Sequence, residues 1–246
     1  MANKRTKSKI LDSFRLRPGR VVAAKYEVTG FLGVGWEGEV YKLRELSTDI
    51  ERAGKFFFPH RNHRGKTLRT YARKLHKLRS CPILIQYHTS DSFQFDGQQV
   101  TFLVSEYVEG QPLSRFLVQQ PGRRISPFQG MHLLHALATG IESIHHVREY
   151  HGDLHPENIL IQRHGISFDL KLLDLYHYGR ATATDIHDDV CDLVRIFYDA
   201  VGGRARYSRQ PPEVKSICRG LKRSLILRQF RTAGQLRHFL ETMDWV

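Results

Sequence analysis

Residues 151–160 read HGDLHPENIL. Asp153 and Asn158 stand five positions apart, with Pro156 between them. Proline fixes φ and removes a backbone donor, so this stretch reads as a loop. The apolar run ILI (159–161) follows at once and predicts a short strand. Upstream, Leu133, Leu134, Leu137, Ala138, Ile141 and Ile144 recur at the helical period, so a helix delivers the chain into the loop. Downstream, LKLLDL (170–175) reads as a second short strand with Asp174 near its end. DDVCDLVRIFYDAV (188–201) predicts an apolar helix stopped by Gly202 and Gly203, and two more helices are expected over 211–224 and 232–243.

The N-terminal half has a different texture. YEVTGFLGVGWEGEVYKL, from Tyr26, alternates apolar and polar residues on either side of a glycine cluster, which predicts strand, turn, strand. ERAGKFFFP (51–59) reads as a third strand closed by Pro59. KTLRTYARKLHKLR (66–79) sets Leu68, Tyr71, Leu75 and Leu78 on one helical face. QQVTFLVSEYVEG (98–110) reads as the second member of a strand pair, running into a turn at Gly110. A β-rich part followed by a helix-rich part, joined near 106–112, predicts an α+β chain of two lobes with a cleft between them.

The 246 residues, 41% apolar, suffice for one large domain or two small lobes. No apolar run approaches the ~20 residues of a membrane helix. The start, MANKRTKSKI, is basic but lacks an apolar core behind it, which argues against secretion. Cys81, Cys191 and Cys218 are scattered without metal or disulfide spacing, so a cytoplasmic setting is expected. The formal charge of +13 suits a polyanion or a plain basic surface. Residues 1–25, with Pro18-Gly19 inside them, are expected to form a basic arm.

Three groups of residues carry chemistry. Gly33-x-Gly35-x-x-Gly38-x-Val40 lies between two predicted strands, where glycines let a backbone approach phosphates closely. A helix after it would indicate a dinucleotide site; a strand follows instead. Lys55, on the next strand among Ala53, Phe56, Phe57 and Phe58, is costly to bury unless it meets an anion, or else snorkels at the edge. Asp153, Asn158 and Asp174 offer hard oxygens of the kind Mg²⁺ takes, and Asp153 is suited to orient or deprotonate a hydroxyl. Singly, each is also an ordinary turn residue.

In order along residues 26–200 these pieces resemble the protein-kinase family. LGVGWEGEV (32–40) resembles its glycine-rich loop, AGK (53–55) its third-strand lysine motif, and LVSEYVEG (103–110) the strand and hinge beside adenine, with Ser105 at the gatekeeper position. HGDLHPEN (151–158) is similar to the catalytic loop, LLDLY (172–176) to the metal-binding segment, and Asp189 of DDVCDL (188–193) to the residue that anchors the loop. The resemblance implies a two-lobed kinase-like fold over 26–246, with an N-lobe at 26–106, a hinge at 106–112 and a C-lobe at 113–246. It further implies an ATP site at Leu32, Gly33, Gly35, Gly38, Val40, Ala53, Lys55, Glu106 and Val108. Mg²⁺ would fall to Asn158 and Asp174, and the acceptor hydroxyl to Asp153.

Four departures qualify that reading. No Asp or Glu occurs between Phe56 and Ser90, so the family's helical Glu is missing; its slot falls near Tyr71 or Ala72. Asp174, Glu37 or Glu39 is then left to hold Lys55. Gly152 stands where many protein kinases carry Arg, so activity independent of loop phosphorylation is expected, at Thr182 and Thr184 in particular. His155 replaces a lysine typical of Ser/Thr kinases, as in aminoglycoside and choline phosphotransferases, and His151, Asp153 and His155 are also metal-ligand types. Only fifteen positions separate Asp174 from Asp189, with no Ala-Pro-Glu motif between them, an economy similar to RIO-type kinases. The expected activity is ATP- and Mg²⁺-dependent phosphorylation of Ser or Thr in a protein. The alternatives are a small-molecule hydroxyl kinase and a nucleotide-binding pseudokinase. The eight Lys and Arg residues over 61–79 are either a docking face for an anionic partner or a solvated helix face.

Overall fold

A computed structural model of the chain describes residues 10–165, 167–175 and 179–244. They divide into two compact units. The first runs to Lys77 and resumes over Gln86–Tyr107; the second comprises Leu78–Ile85 and the chain from Val108 onward.

In the first unit, β1 (Val21–Val22), β2 (Tyr26–Val34), β3 (Gly38–Glu45) and β4 (Glu51–Phe57) precede helix α1 (Lys66–Lys77), and β5 (Tyr87–Phe95) and β6 (Gln98–Glu106) follow it. The sheet order is β1-β2-β3-β4-β6-β5, antiparallel throughout. Strand alternation gives the sheet two different faces. One carries Tyr41, Leu43, Phe56, Phe102 and Val104, all buried, with Phe56 stacked on Phe102 at 4.6 Å. A Cβ on Gly54 would lie 2.6 Å from the Leu43 methyl, so glycine is what lets this layer close. The register sets Val40 beside Lys55 and Leu103, and Lys42 beside Ala53 and Ser105, on the other face. Of the predicted stripe, Leu68, Tyr71 and Leu75 lie on α1 and Leu78 falls just past its end, and all four are buried.

The expected arm corrects in part. Leu11, Phe14 and Leu16 are buried in the aromatic layer of the first unit. Ser13 Oγ and the Phe14 amide donate to the Glu39 carboxylate at 2.9 and 3.1 Å, and the Leu16 amide donates to the Tyr41 hydroxyl at 3.1 Å. The short apolar alternation Leu11-x-x-Phe14-x-Leu16 was masked by the basic residues around it, and burial of those side chains outweighs the segment's charge.

In the second unit, β7 (Gln111–Pro112) leads into α2 (Leu113–Gln119), and α3 (Pro127–His146) is the long central helix. Its capping box is complete: Gln129 N donates to Ser126 Oγ at 3.2 Å, and Ser126 N donates to Gln129 Oε1 at 3.0 Å. β8 (Ile159–His164) and β9 (Ser167–Leu172) pair antiparallel beside β7. Then come α4 (Ala183–Ala200), α5 (Gly203–Arg206), α6 (Pro212–Cys218), α7 (Arg223–Gln229) and α8 (Ala233–Thr242). The predicted stripe from Leu133 to Ile144 is buried throughout.

Two expected helices change. α4 starts at Ala183 rather than 188, because Thr182 and Asp185 form a second capping box ahead of the apolar run. The single helix expected over 211–224 is broken into α6 and α7, since Arg219, Gly220 and Leu221 all take positive φ. No described helix is long and apolar enough to cross a membrane.

Candidate active site

The loop 151–158 is held from below by one carboxylate. Asp189, on α4 and fully buried, accepts the amides of His151 and Gly152, each at 2.8 Å, and lies 3.0 Å from His145 Nε2. Three contacts to one buried charge fix the backbone just ahead of Asp153. Gly152 sits at φ +76°, a left-handed conformation that glycine adopts without strain. His151 is fully buried, and its Nδ1 accepts the Asp153 amide at 3.3 Å.

Beyond that anchor the loop folds back on itself. Pro156–Asn158 form a 3-10 turn, and Asn158 Nδ2 donates to the Asp153 carbonyl at 2.9 Å and to its carboxylate Oδ2 at 3.0 Å. The two residues that sequence spacing singled out are therefore in direct contact. Asn158 is 8% exposed, and with Nδ2 turned to Asp153 its Oδ1 is the atom suited to a cation. His155 Nε2 lies 3.6 Å from Asp153 Oδ2 at an exposed position. The Leu173 amide donates to the Asn158 carbonyl at 2.9 Å, which brings the next residue, Asp174, to the same loop. Asp174 has φ +49°, which Asp tolerates better than most residues and which is the kind of backbone strain that gathers at functional sites. Asn158 and Asp174 thus fit a hard cation such as Mg²⁺ in donor type. Among the described residues no group of three His, Cys, Asp or Glu side chains could hold a metal, which removes the His151–Asp153–His155 alternative.

The residues expected to meet ATP are distributed as follows. A Cβ on Gly33 or Gly35 would meet nothing within 4 Å, so the backbone there is open to a ligand. Gly38 is different: its Cβ would fall 1.8 Å from the Phe56 carbonyl oxygen, so this glycine serves the pairing of β3 with β4. Leu32 is 45% exposed on β2. Val40 and Lys55 are direct cross-strand partners, as are Ala53 and Ser105. Glu106 N donates to the Gln86 carbonyl at 3.0 Å, its carboxylate takes the Gln86 amide at 3.0 Å, and its carbonyl accepts the Ser105 hydroxyl at 3.4 Å. Val108 begins the longer segment of the second unit.

The missing helical Glu is answered from the glycine turn. Glu37 Oε2 lies 2.9 Å from Lys55 Nζ, and both side chains are largely buried. The Tyr71 ring, on α1 where the carboxylate was sought, stands 4.8 Å from the ammonium. Glu39, the neighbouring alternative, points to the opposite sheet face, where it binds Ser13, Phe14 and the Tyr41 hydroxyl. Burial first, then the neighbouring Glu39, push the Tyr41 phenol upward.

Sequence reasoning missed His145; the only signal was its place in a His-His pair at the end of α3. It also passed over Asp192, on α4 next to the anchor. Burial, and then the charges of Asp189 and Asp188, push its carboxyl up to about 6. Of the basic residues over 61–79, Lys74 is buried and Arg61 stacks on the Trp36 ring at 4.1 Å, while the others are exposed.

Comparison with known proteins agrees with this geometry. The protein kinase domain family matches residues 26–200. The chain is 27% identical over 180 residues to serine/threonine-protein kinase pkn3 of Myxococcus xanthus, which covers 72% of this chain and 31% of that protein. It is 24% identical to the serine/threonine-protein kinase PrkC of Bacillus subtilis, covering 67% of this chain and 24% of the relative. The chain therefore spans less than a third of the length of these relatives. Among solved structures, the PknI kinase domain of Mycobacterium tuberculosis superposes with a TM-score of 0.63 at 18% identity, over 93% of this chain and 97% of that one, and so has the same fold. With the family match covering most of its length and the two-lobed α+β fold shared, this chain belongs to the protein kinase family.

Proposed function

We propose that this chain transfers the γ-phosphoryl group of ATP, with Mg²⁺, to a Ser or Thr hydroxyl of a protein. The observation that carries the reading is the loop fixed by Asp189, in which Asn158 holds one oxygen of the Asp153 carboxylate. That hydrogen bond orients the carboxylate, so its other oxygen is aimed to accept the proton of an attacking hydroxyl. The open glycine turn and Lys55 hold the phosphates, and Val40, Ala53 and Leu32 flank the adenine. Asn158 Oδ1 and the Asp174 carboxylate would hold Mg²⁺, which when bound offsets the charge of the phosphates. The exposed Arg and Lys residues of α1 offer a docking face for an anionic partner, whose binding would weaken steeply with salt.

The test is transfer of radiolabel from γ-labelled ATP with Mg²⁺ into a lysate cleared of small molecules, using wild type and Asp153→Asn. Label on protein that disappears in the variant supports the reading. A second acceptor class, a small-molecule hydroxyl, is favoured by the early start of α4: only residues 175–182 lie between Asp174 and Ala183, little room for a peptide-docking segment. Label on metabolites alone would select it. ATP binding without any turnover, unchanged in Asp153→Asn, would point to a pseudokinase.

A further inference from the structure

The Lys55–Glu37 pair has consequences beyond filling a gap in the family pattern. α1 carries no acidic residue at all, and Tyr71, 1% exposed, fills the position facing Lys55 with a ring. The carboxylate on Lys55 rides instead on the turn between β2 and β3. That turn is tied to its own sheet. Gly35 N donates to the Gly38 carbonyl at 2.8 Å, Phe58 N donates to the Glu37 carbonyl at 2.9 Å, and Arg61 lies over the Trp36 ring at 4.1 Å. Backbone and side chain of Glu37 are both engaged, so the turn and the lysine are tied together within the first unit.

We propose that Glu37 is the positioning residue for Lys55, so that the glycine turn, and not α1, sets the lysine for phosphate binding; the phosphate-binding part rests on the phosphotransferase reading above. An ammonium has three donors, so Lys55 can keep Glu37 on one while another reaches a phosphate oxygen. A rival arrangement has Glu37 standing in for phosphate and blocking the site. Nucleotide would then have to break an ion pair whose two side chains are only 13% and 12% exposed. The geometry therefore favours support over blockade. It also removes α1 as a source of the carboxylate on Lys55, because shifting that helix moves no acidic side chain toward or away from the lysine.

Three proteins test this: wild type, Glu37→Gln and Glu37→Gln/Tyr71→Glu, the last returning a carboxylate to α1. The first readout uses no nucleotide. Trace acetylation by acetic anhydride, followed across pH by mass spectrometry with exposed Lys66 as the internal reference, reads the Lys55 ammonium. Loss of the carboxylate is expected to make Lys55 roughly tenfold more reactive at fixed pH, because a neighbouring negative charge favours the unreactive ammonium. The double variant returns it toward wild type. The second readout is kcat and the KM for ATP. Glu37→Gln is expected to lose about 10- to 100-fold in kcat/KM, the span of one charge-assisted hydrogen bond, and the double variant to recover most of it. Unchanged Lys55 reactivity in Glu37→Gln overturns the proposal, and so does a gain in kcat/KM, which would mark Glu37 as a block. A wild type with no transfer activity sinks the phosphotransferase reading instead, and the acetylation result still decides whether Glu37 holds the lysine.

Discussion

Replacing Phe14 with Ala separates a packed N-terminal segment from a loose basic arm. Phe14 is 3% exposed, and its ring lies 5.3 Å from Phe58, 5.7 Å from Phe95 and 6.3 Å from Phe56. Removing a buried phenyl ring costs about 3–5 kcal/mol. The segment is short and terminal, so it relaxes more than a central strand would, and the lower end, about 3 kcal/mol, is expected. If the segment detaches entirely, Glu39 loses Ser13 Oγ and the Phe14 amide and keeps Tyr41. Losing hydrogen bonds to a charged group adds about 1.5–3 kcal/mol. Equilibrium urea unfolding reads the sum. With m in the range of about 2–3 kcal/mol/M for a chain of this size, the midpoint falls by about 1 M or more. Near-UV and far-UV circular dichroism followed together establish whether one transition is being measured. A midpoint within about 0.2 M of wild type would refute packing of residues 11–16.

Three further outcomes follow from the second unit. Asp189→Ala leaves the amides of His151 and Gly152 and the His145 ring without their acceptor; a loss of about 3–5 kcal/mol is expected in calorimetry, with phosphoryl transfer abolished, and a variant of native stability and activity would contradict the anchoring role. Gly152→Arg forces a side chain onto φ +76° and is expected to cost about 1–2 kcal/mol in urea unfolding, whereas an unchanged midpoint would mean the left-handed turn is not needed. The Asp192 carboxyl titrates at about 6 folded against an ordinary 3.8, so between those values the folded state keeps a proton that the unfolded state gives up. Stability contributed by that proton is present at low pH and is lost as pH rises through about 6, so Asp192→Asn is expected to have a higher Tm than wild type at pH 8 and nearly the same Tm at pH 4; a gap independent of pH would refute the shift.

Local pattern carried much of the architecture. The six-residue stripe of α3 and the Leu68, Tyr71 and Leu75 stripe of α1 are legible because a helix repeats its buried face every turn, and both are buried as read. That Asp153 and Asn158 share one loop was legible too, because Pro156 between them marks a turn, whereas their hydrogen bond emerged only from the fold. Capping moved the start of α4, because the Thr182–Asp185 box lies outside the apolar run that marks the helix. Three consecutive positive-φ residues ended α6, and only one of them is glycine.

What the sequence determined alone was the order of strands, glycine turn, loop and helices, together with the absence of any carboxylate on α1, because those are properties of neighbours along the chain. What tertiary structure decided was pairing across distance. Glu37 and Glu39 are two residues apart and chemically alike, yet one binds Lys55 and the other binds Ser13 and Phe14. Residue type does not distinguish them. Glu37 belongs to the turn, so its side chain is free of the strand alternation and reaches the Lys55 side; Glu39 lies within β3, whose two-residue period commits it to the face where the N-terminal segment packs.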